Sequence, residues 1–202
     1  LFTLAVLAAA CAPAQANLLG NASFETAVPV LAAPGSQYCY GCANDGWSGS
    51  AVVIRSDSGA WGNPNALGGY AYGNQLIGLQ NNTYVEQGLN LAAGTYLLTW
   101  ADAGRRGYYN TQYDVLFGSS VLNATHYATT AGQAWGTHSL SFTASGSGAL
   151  RFQGLAVTPD GTAFIDNLSL TLTRAAVPEP ASMALVGLAL AGLAAGRRRS
   201  SR

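Results

Sequence analysis

The stretch Thr162-Ala-Phe-Ile-Asp-Asn-Leu-Ser-Leu-Thr-Leu-Thr173 decides the fold class. Phe164, Leu168, Leu170 and Leu172 share one register, the period-two repeat of a strand with a single buried face. Asp166 falls in the same register, so its carboxylate is expected to point to the buried face. Such a group is costly there unless it is ion-paired, hydrogen-bonded or metal-bound.

The same alternation recurs upstream. Val85, Leu89 and Leu91 form one set; Tyr96, Leu98 and Trp100 another; then Tyr113, Val115 and Phe117, and Leu140, Phe142 and Ala144. Ala51–Arg55, Tyr70–Tyr72 and Gln75–Leu79 read as shorter strands, and Ser56–Gly69 as a long loop. Turns are expected at Ala92–Gly94, Ser145–Gly148 and Pro159–Gly161. No amphipathic helix of useful length appears between 17 and 176. Many short strands separated by Gly-rich turns predict an all-β fold, a jelly-roll β-sandwich. Tyr96, Trp100, Tyr113 and Phe142 are expected in its core.

Both ends read differently. Residues 1–16 form an apolar run closing on Ala14-Gln15-Ala16, a small-x-small signal-peptide cleavage pattern. No initiator Met or basic start precedes the run, so the leader is expected to lack its first residues. Cys11 offers a lipoprotein alternative, weakened by Ala8 three places before it. At the other end, Val177-Pro-Glu-Pro180 leads into an uncharged run, Ala181–Gly196, and then Arg197-Arg198-Arg199. As a helix the run spans roughly 24 Å, short against a hydrocarbon core of about 30 Å. Snorkelling arginines or local bilayer thinning can supply the difference. A single transmembrane helix is expected, with the arginines cytoplasmic and the preceding domain outside. The organisation is therefore a signal peptide (1–16), one β-sandwich domain (17–176) and a C-terminal sorting tail (177–202).

Within 17–176 eight acids face five arginines, and the chain has no lysine. A basic nucleic-acid footprint is absent. Cys39 and Cys42, in a loop rich in Gly and Asn, suit a local disulfide in an oxidising compartment. Free thiols and a metal or redox role are the alternatives. Exposed aromatic faces with polar neighbours are what sugar stacking requires. The candidates outside clear core registers are Trp47, Trp61, Tyr70, Tyr72, Tyr108 and Tyr109, with Asn74, Arg105 and Arg106 as hydrogen-bond partners. Tyr38 and Tyr40 belong to the cysteine loop. His126 and His138 lack ligand spacing and read as surface residues. Gly46-Trp-Ser-Gly-Ser50 fails as a nucleophile elbow at its last position.

The tail resembles the PEP-CTERM sorting signal of Gram-negative bacteria, through Pro178-Glu179-Pro180, the apolar span and Arg197–Arg199. The resemblance implies an exosortase substrate: an inner-membrane-anchored precursor facing the periplasm, then a cell-surface or extracellular protein. The domain resembles the galactose-binding-like jelly rolls, including xylan- and glucan-binding modules. The matching stretches are Asn17-Leu-Leu-x-Asn-x-x-Phe-Glu25, Gly94-Thr-Tyr-x-Leu-x-Trp100, Ala103-Gly-Arg105, Tyr113-Asp-Val and Phe164-Ile-Asp-Asn-Leu-Ser-Leu170. That resemblance implies a structural calcium held by Glu25 and Asp166, and oxygen ligands of this kind suit Ca2+. Pairing of Asp166 with Arg55 or Arg151, or capping of backbone N–H groups, is the alternative. The function expected is a non-catalytic surface or matrix protein contacting exopolysaccharide. A structural biofilm component without a ligand and an exported glycan hydrolase are the other readings.

Overall fold

The computed structural model describes residues 16–26, 31, 35, 37–42, 44–67 and 72–176. Residues 1–15 of the expected leader, Tyr70, and the tail with Pro178, Glu179, Pro180 and Arg197–Arg199 lie outside that set. Among the described residues no helix is long and apolar enough to cross a membrane.

Ten strands follow one another: β1 (Tyr38–Tyr40), β2 (Ser48–Gly49), β3 (Val52–Arg55), β4 (Gln75–Gln80), β5 (Tyr84–Gly104), β6 (Thr111–Phe117), β7 (Ser120–Val121), β8 (Tyr127–Thr129), β9 (Gly136–Leu155) and β10 (Thr162–Ala175). Every pairing is antiparallel, in the order β1-β3-β4-β10-β5-β9-β6-β7, with β2 on β5 and β8 on β6. The fold is an all-β jelly-roll sandwich. All the strands belong to one continuous hydrogen-bonded sheet, in which the long strands β5 and β9 pair from Tyr84–Gln153 to Asp102–Gly136.

Two expected turns are absent as reversals. Ala92–Gly94 and Ser145–Gly148 lie inside β5 and β9, opposite each other: Leu91 pairs with Gly146 and Gly94 with Ala144. β5 uses one extra residue there, a bulge of the kind that bends and twists a strand locally. A Cβ on Gly94 would collide with the Leu172 side chain and the Arg174 carbonyl, so glycine lets β10 pass close by. The small residues that read as a turn permit this approach instead. Pro159–Gly161 does turn, with Asp160 in the left-handed region at φ 54°.

A second bulge corrects the opening register. Asp166 pairs with Ala101 but Ser169 with Thr99, and Asn167 adopts φ 51°. The face therefore switches mid-strand. Ile165, Leu168 and Leu170 enter the main core, whereas Phe164 joins Val52, Ile54, Trp61, Leu67, Leu76 and Ala103 in a second cluster. The 56–67 loop supplies Trp61 and Leu67 to that cluster, so β3 and β4 are buried on both sides.

The main core contains one satisfied polar network. Trp100 meets the Phe152 ring at 5.5 Å, and its indole N–H donates to the Tyr113 hydroxyl at 2.8 Å. Tyr113 in turn donates to Asp102 Oδ2 at 2.8 Å. Burial, then the Asp102 charge, pushes the Tyr113 phenol well above its ordinary value. Asp102 Oδ1 accepts from Gln133 Nε2 at 3.2 Å and lies 3.0 Å from His138 Nε2. His138 is thus no free surface residue, since its ring also stacks on Trp100 at 5.3 Å. His126 is more exposed, with Nδ1 2.7 Å from Asp114 Oδ1.

The N-terminal segment closes the sandwich along β10. Leu18 N–H donates to the Leu170 carbonyl at 2.8 Å, and Leu168 N–H to the Ala22 carbonyl at 2.9 Å. The Asn17 side chain bridges the same edge, donating to Leu168 O at 3.0 Å and accepting from Leu170 N–H at 2.9 Å. Asn17→Ala should lower unfolding free energy by about 1–2 kcal/mol in urea denaturation, the usual worth of one or two such bonds. An unchanged midpoint would mean the clamp contributes nothing.

Candidate functional site

Two places gather the chemistry. The first is the seam where β10 changes partner. β4 pairs with Thr162–Ile165, and the N-terminal segment takes over at Leu168. Asp166 sits between them, fully buried at 0% exposure. Its Oδ1 accepts the Asn167 N–H at 2.6 Å, while Oδ2 is buried with no partner. Arg55 and Arg151 pair instead with Asp57 at 2.9 Å and Glu86 at 2.7 Å, so neither partners Asp166, whereas the Asn167 bond is the backbone capping that is the other alternative to a metal.

Glu25 lies on the same seam. Its carboxylate accepts the backbone N–H groups of Asn74 (2.9 and 3.0 Å) and Gln75 (3.0 Å). It packs directly on Gly73, at φ 126°, where any Cβ would strike it. Desolvation is the main force on Asp166 and raises its carboxyl to about 8. The Glu25 charge adds to the rise, and the Asn167 and Tyr72 backbones oppose it. An orphaned buried oxygen beside a second carboxylate fits a hard divalent cation. Among the described residues no third His, Cys, Asp or Glu joins them, so further ligands would be carbonyls or water.

The second place lies beside the outer cluster. β1 puts Tyr38 and Tyr40 on one face, paired to Ile54 and Val52. Both rings approach Trp61, at 5.6 and 6.0 Å. Arg105 follows directly on β5, and its guanidinium lies between two rings, 4.1 Å from Trp61 and 3.4 Å from Tyr108. Arg105 Nη2 donates to Ala60 O at 2.9 Å. Desolvation pulls this guanidinium below its ordinary value. Tyr40 donates to Gln80 Oε1 at 2.8 Å, and Gln80 Nε2 donates to Asp160 Oδ1 at 3.2 Å. Burial is the first cause that raises the Tyr40 phenol, with Arg105 opposing it. Four tyrosines remain open on this face or next to it: Tyr38 at 44%, Tyr40 at 53%, Tyr108 at 38% and Tyr109 at 58%. Cys39, between the first two, is joined to Cys42, with Cα atoms 5.7 Å apart.

The expected sugar-contacting residues thus divide. Trp47 is buried at 4% exposure, tilted against Phe24 at 5.0 Å, with its indole N–H on Gly20 O and Asn21 O. Its ring offers no open face, because the N-terminal segment covers it. Trp61 is also buried, at 2%, and serves as the floor under Arg105 rather than as an open platform. Asn74 belongs to the Glu25 seam. Tyr72 sits edge-on to Trp135 at 6.1 Å. Arg105 and Tyr108 join the platform through the Trp61 ring. Arg106 donates to Ala66 O of the 56–67 loop, and Tyr109 is exposed beside Tyr108 in the chain. Tyr38 and Tyr40 complete it, although the sequence ties them to the cysteine loop. Their i, i+2 spacing across Cys39 was the available signal, since it sets both rings on one side of a strand.

Comparison with known proteins adds a motif and a fold. Residues 176–199 match the PEP-CTERM protein-sorting motif, so the chain carries that motif. A cyclase from Fischerella sp. TAU, solved in complex with 4-(1H-indol-3-yl)butan-2-one, is 18% identical, covering 78% of this chain and 96% of its own, with a TM-score of 0.53. The CBM22-1 xylan-binding domain from Paenibacillus barcinonensis Xyn10C is 12% identical, covering 82% and 100%, with a TM-score of 0.48. TmCBM61, solved in complex with β-1,4-galactotriose, is 19% identical, covering 78% and 99%, with a TM-score of 0.46. The likeness to the cyclase is one of fold. No curated protein matches the chain.

The Asp166 shift has a definite sign. Below pH 3.8 the carboxyl is protonated both folded and unfolded. Above it the unfolded chain releases the proton, while the folded chain keeps it until about pH 8. In chelator this group should therefore lower stability as pH rises through that window, by up to about 6 kcal/mol. Urea denaturation of Asp166→Asn in chelator should show a flatter pH dependence than wild type. Identical slopes would rule the carboxyl out as the source.

Proposed function

We propose that the chain is a non-catalytic, exported protein of the Gram-negative envelope that binds exopolysaccharide through the tyrosine platform. The observation that carries this reading is the set of exposed rings Tyr38, Tyr40 and Tyr108 gathered around Trp61 and Arg105, with Tyr109 exposed next to Tyr108 in the chain. Sugar rings present C–H faces that pack on aromatic faces, and fixed polar groups at the margin set their orientation. Gln80 and Arg106 stand at that margin. Trp61 stiffens the platform from below, because a buried ring under the guanidinium holds Arg105 without side-chain freedom.

The tail fits the same setting. In this reading an exosortase recognises Pro178-Glu179-Pro180 and releases or transfers the domain. Until then the apolar span and Arg197–Arg199 anchor it to the inner membrane, facing the periplasm.

Glu25 and Asp166 would hold a structural Ca2+, whose charge compensates the buried Asp166 carboxylate and the exposed Glu25 and ties the N-terminal segment to β10. Removal of calcium with a chelator should lower the thermal midpoint by roughly 5–10 °C, judged against about 100-fold excess of ion over Kd. A midpoint indifferent to chelator removes the ion from this seam.

The glycan reading is tested by binding of the full chain to a panel of bacterial exopolysaccharides. Tyr40→Ala and Tyr108→Ala should each weaken binding by about tenfold or more. Trp47→Phe should leave affinity unchanged at temperatures where it stays folded. Absence of binding by wild type to every polymer would sink the reading.

A further inference from the structure

We infer that the platform's ligand is a polysaccharide bearing carboxylate groups, with Arg106 as the residue that reads the charge. This rests on the platform being the ligand-binding face.

The inference starts from a mismatch in charge pairing. Of the five arginines among the described residues, Arg55 and Arg151 have carboxylate partners. Among the described residues no ion pair engages Arg105, Arg106 or the exposed Arg174 at the far end of β10; only Arg105 and Arg106 adjoin the aromatic cluster and the loop that carries Trp61. Backbone carbonyls hold them instead: Arg105 on Ala60 O, and Arg106 on Ala66 O. Both carbonyls belong to the 56–67 loop that carries Trp61. Each guanidinium has five N–H donors, so one carbonyl leaves most of them available for other partners.

Burial makes the mismatch stronger at Arg105. Its Nε is buried without a partner. A buried cation without a counter-ion is costly, and stacking between two rings offsets only part of that cost. The acid whose charge acts on it is Asp160, which also raises the Tyr40 phenol and is held by Gln80. One exposed acid therefore stands against two adjacent guanidinium groups. The remainder of the domain is weakly acidic, which makes this positive excess local. Arg106 is exposed and can meet a ligand directly, while Arg105 contributes its field from beneath the rings.

A neutral sugar would stack on Tyr38, Tyr40 and Tyr108 and leave this charge unused. A uronic-acid residue would also place a planar carboxylate within reach of a planar fork of donors, the geometry that guanidinium groups match best. The attraction should be sensitive to salt because the site is open.

The test uses the full chain with polygalacturonate, alginate and hyaluronan, each beside its methyl-esterified form. Esterification removes the charge and keeps the sugar rings. At least one acidic polymer should bind about tenfold tighter than its ester. That difference should shrink as salt is raised, and Arg106→Gln should remove most of it. Arg106→Lys should retain the salt dependence, and Tyr40→Ala should weaken acid and ester alike. Equal affinity for acid and ester in wild type overturns the inference and leaves the platform standing, with no variant needed. Binding to neutral polymers alone does the same. No binding to either form of any polymer overturns the platform together with it.

Discussion

The structure depends on the hydrogen-bond demand of β10. Both edges of this strand are buried, so its backbone donors and acceptors need partners on each side. β5 serves one edge along most of its length. The other edge is divided: β4 ends at Ile165, and the N-terminal segment begins at Leu168. The handover needs a kink, which Asn167 supplies in the left-handed region. Asp166 is the residue stranded at the junction, and its unpaired oxygen follows from that position. Glu25 arrives there because it follows the clamp that Asn17 begins.

The same layer explains the outer platform. β3, β4 and β10 present apolar residues on their outer faces as well as their inner ones. Water would contact Val52, Ile54, Leu76 and Phe164 if nothing covered them, and the 56–67 loop does so with Trp61 and Leu67. Covering that patch brings Trp61 against Arg105, and Arg105 against Tyr108. The exposed tyrosines therefore stand on a small second core. A rigid floor lowers the ordering cost of any ligand that stacks on it.

Much of the fold was legible in the alternation of apolar residues. The strands from Val85 to Trp100, from Tyr113 to Phe117 and from Leu140 to Ala144 are where period two places them. The breakdowns have one cause: a bulge shifts parity without leaving a mark in composition. Ala92–Gly94 and Ser145–Gly148 look like turns because small residues serve both tight reversals and close strand approach. Alternation puts Phe164 on one face with Leu168, and the extra residue at Asn167 separates them. Trp47 looked free because no strand pattern surrounds it, yet the N-terminal segment folds over it. Loop residues buried by distant chain segments carry no local signal.

By itself, the sequence determined the all-β class, the burial of Asp166, the close spacing of Cys39 and Cys42, and the sorting motif at the end. These are local properties, read from spacing and composition over a few residues. Tertiary structure alone decided which aromatics stay open, that the Glu25 charge acts on Asp166 from the other end of the chain, and that Arg105 lies between Trp61 and Tyr108. Those outcomes depend on contacts between segments tens of residues apart, and such contacts are set by sheet register and loop coverage. A one-residue bulge reverses which face a side chain takes, so no reading of periodicity alone could have placed them.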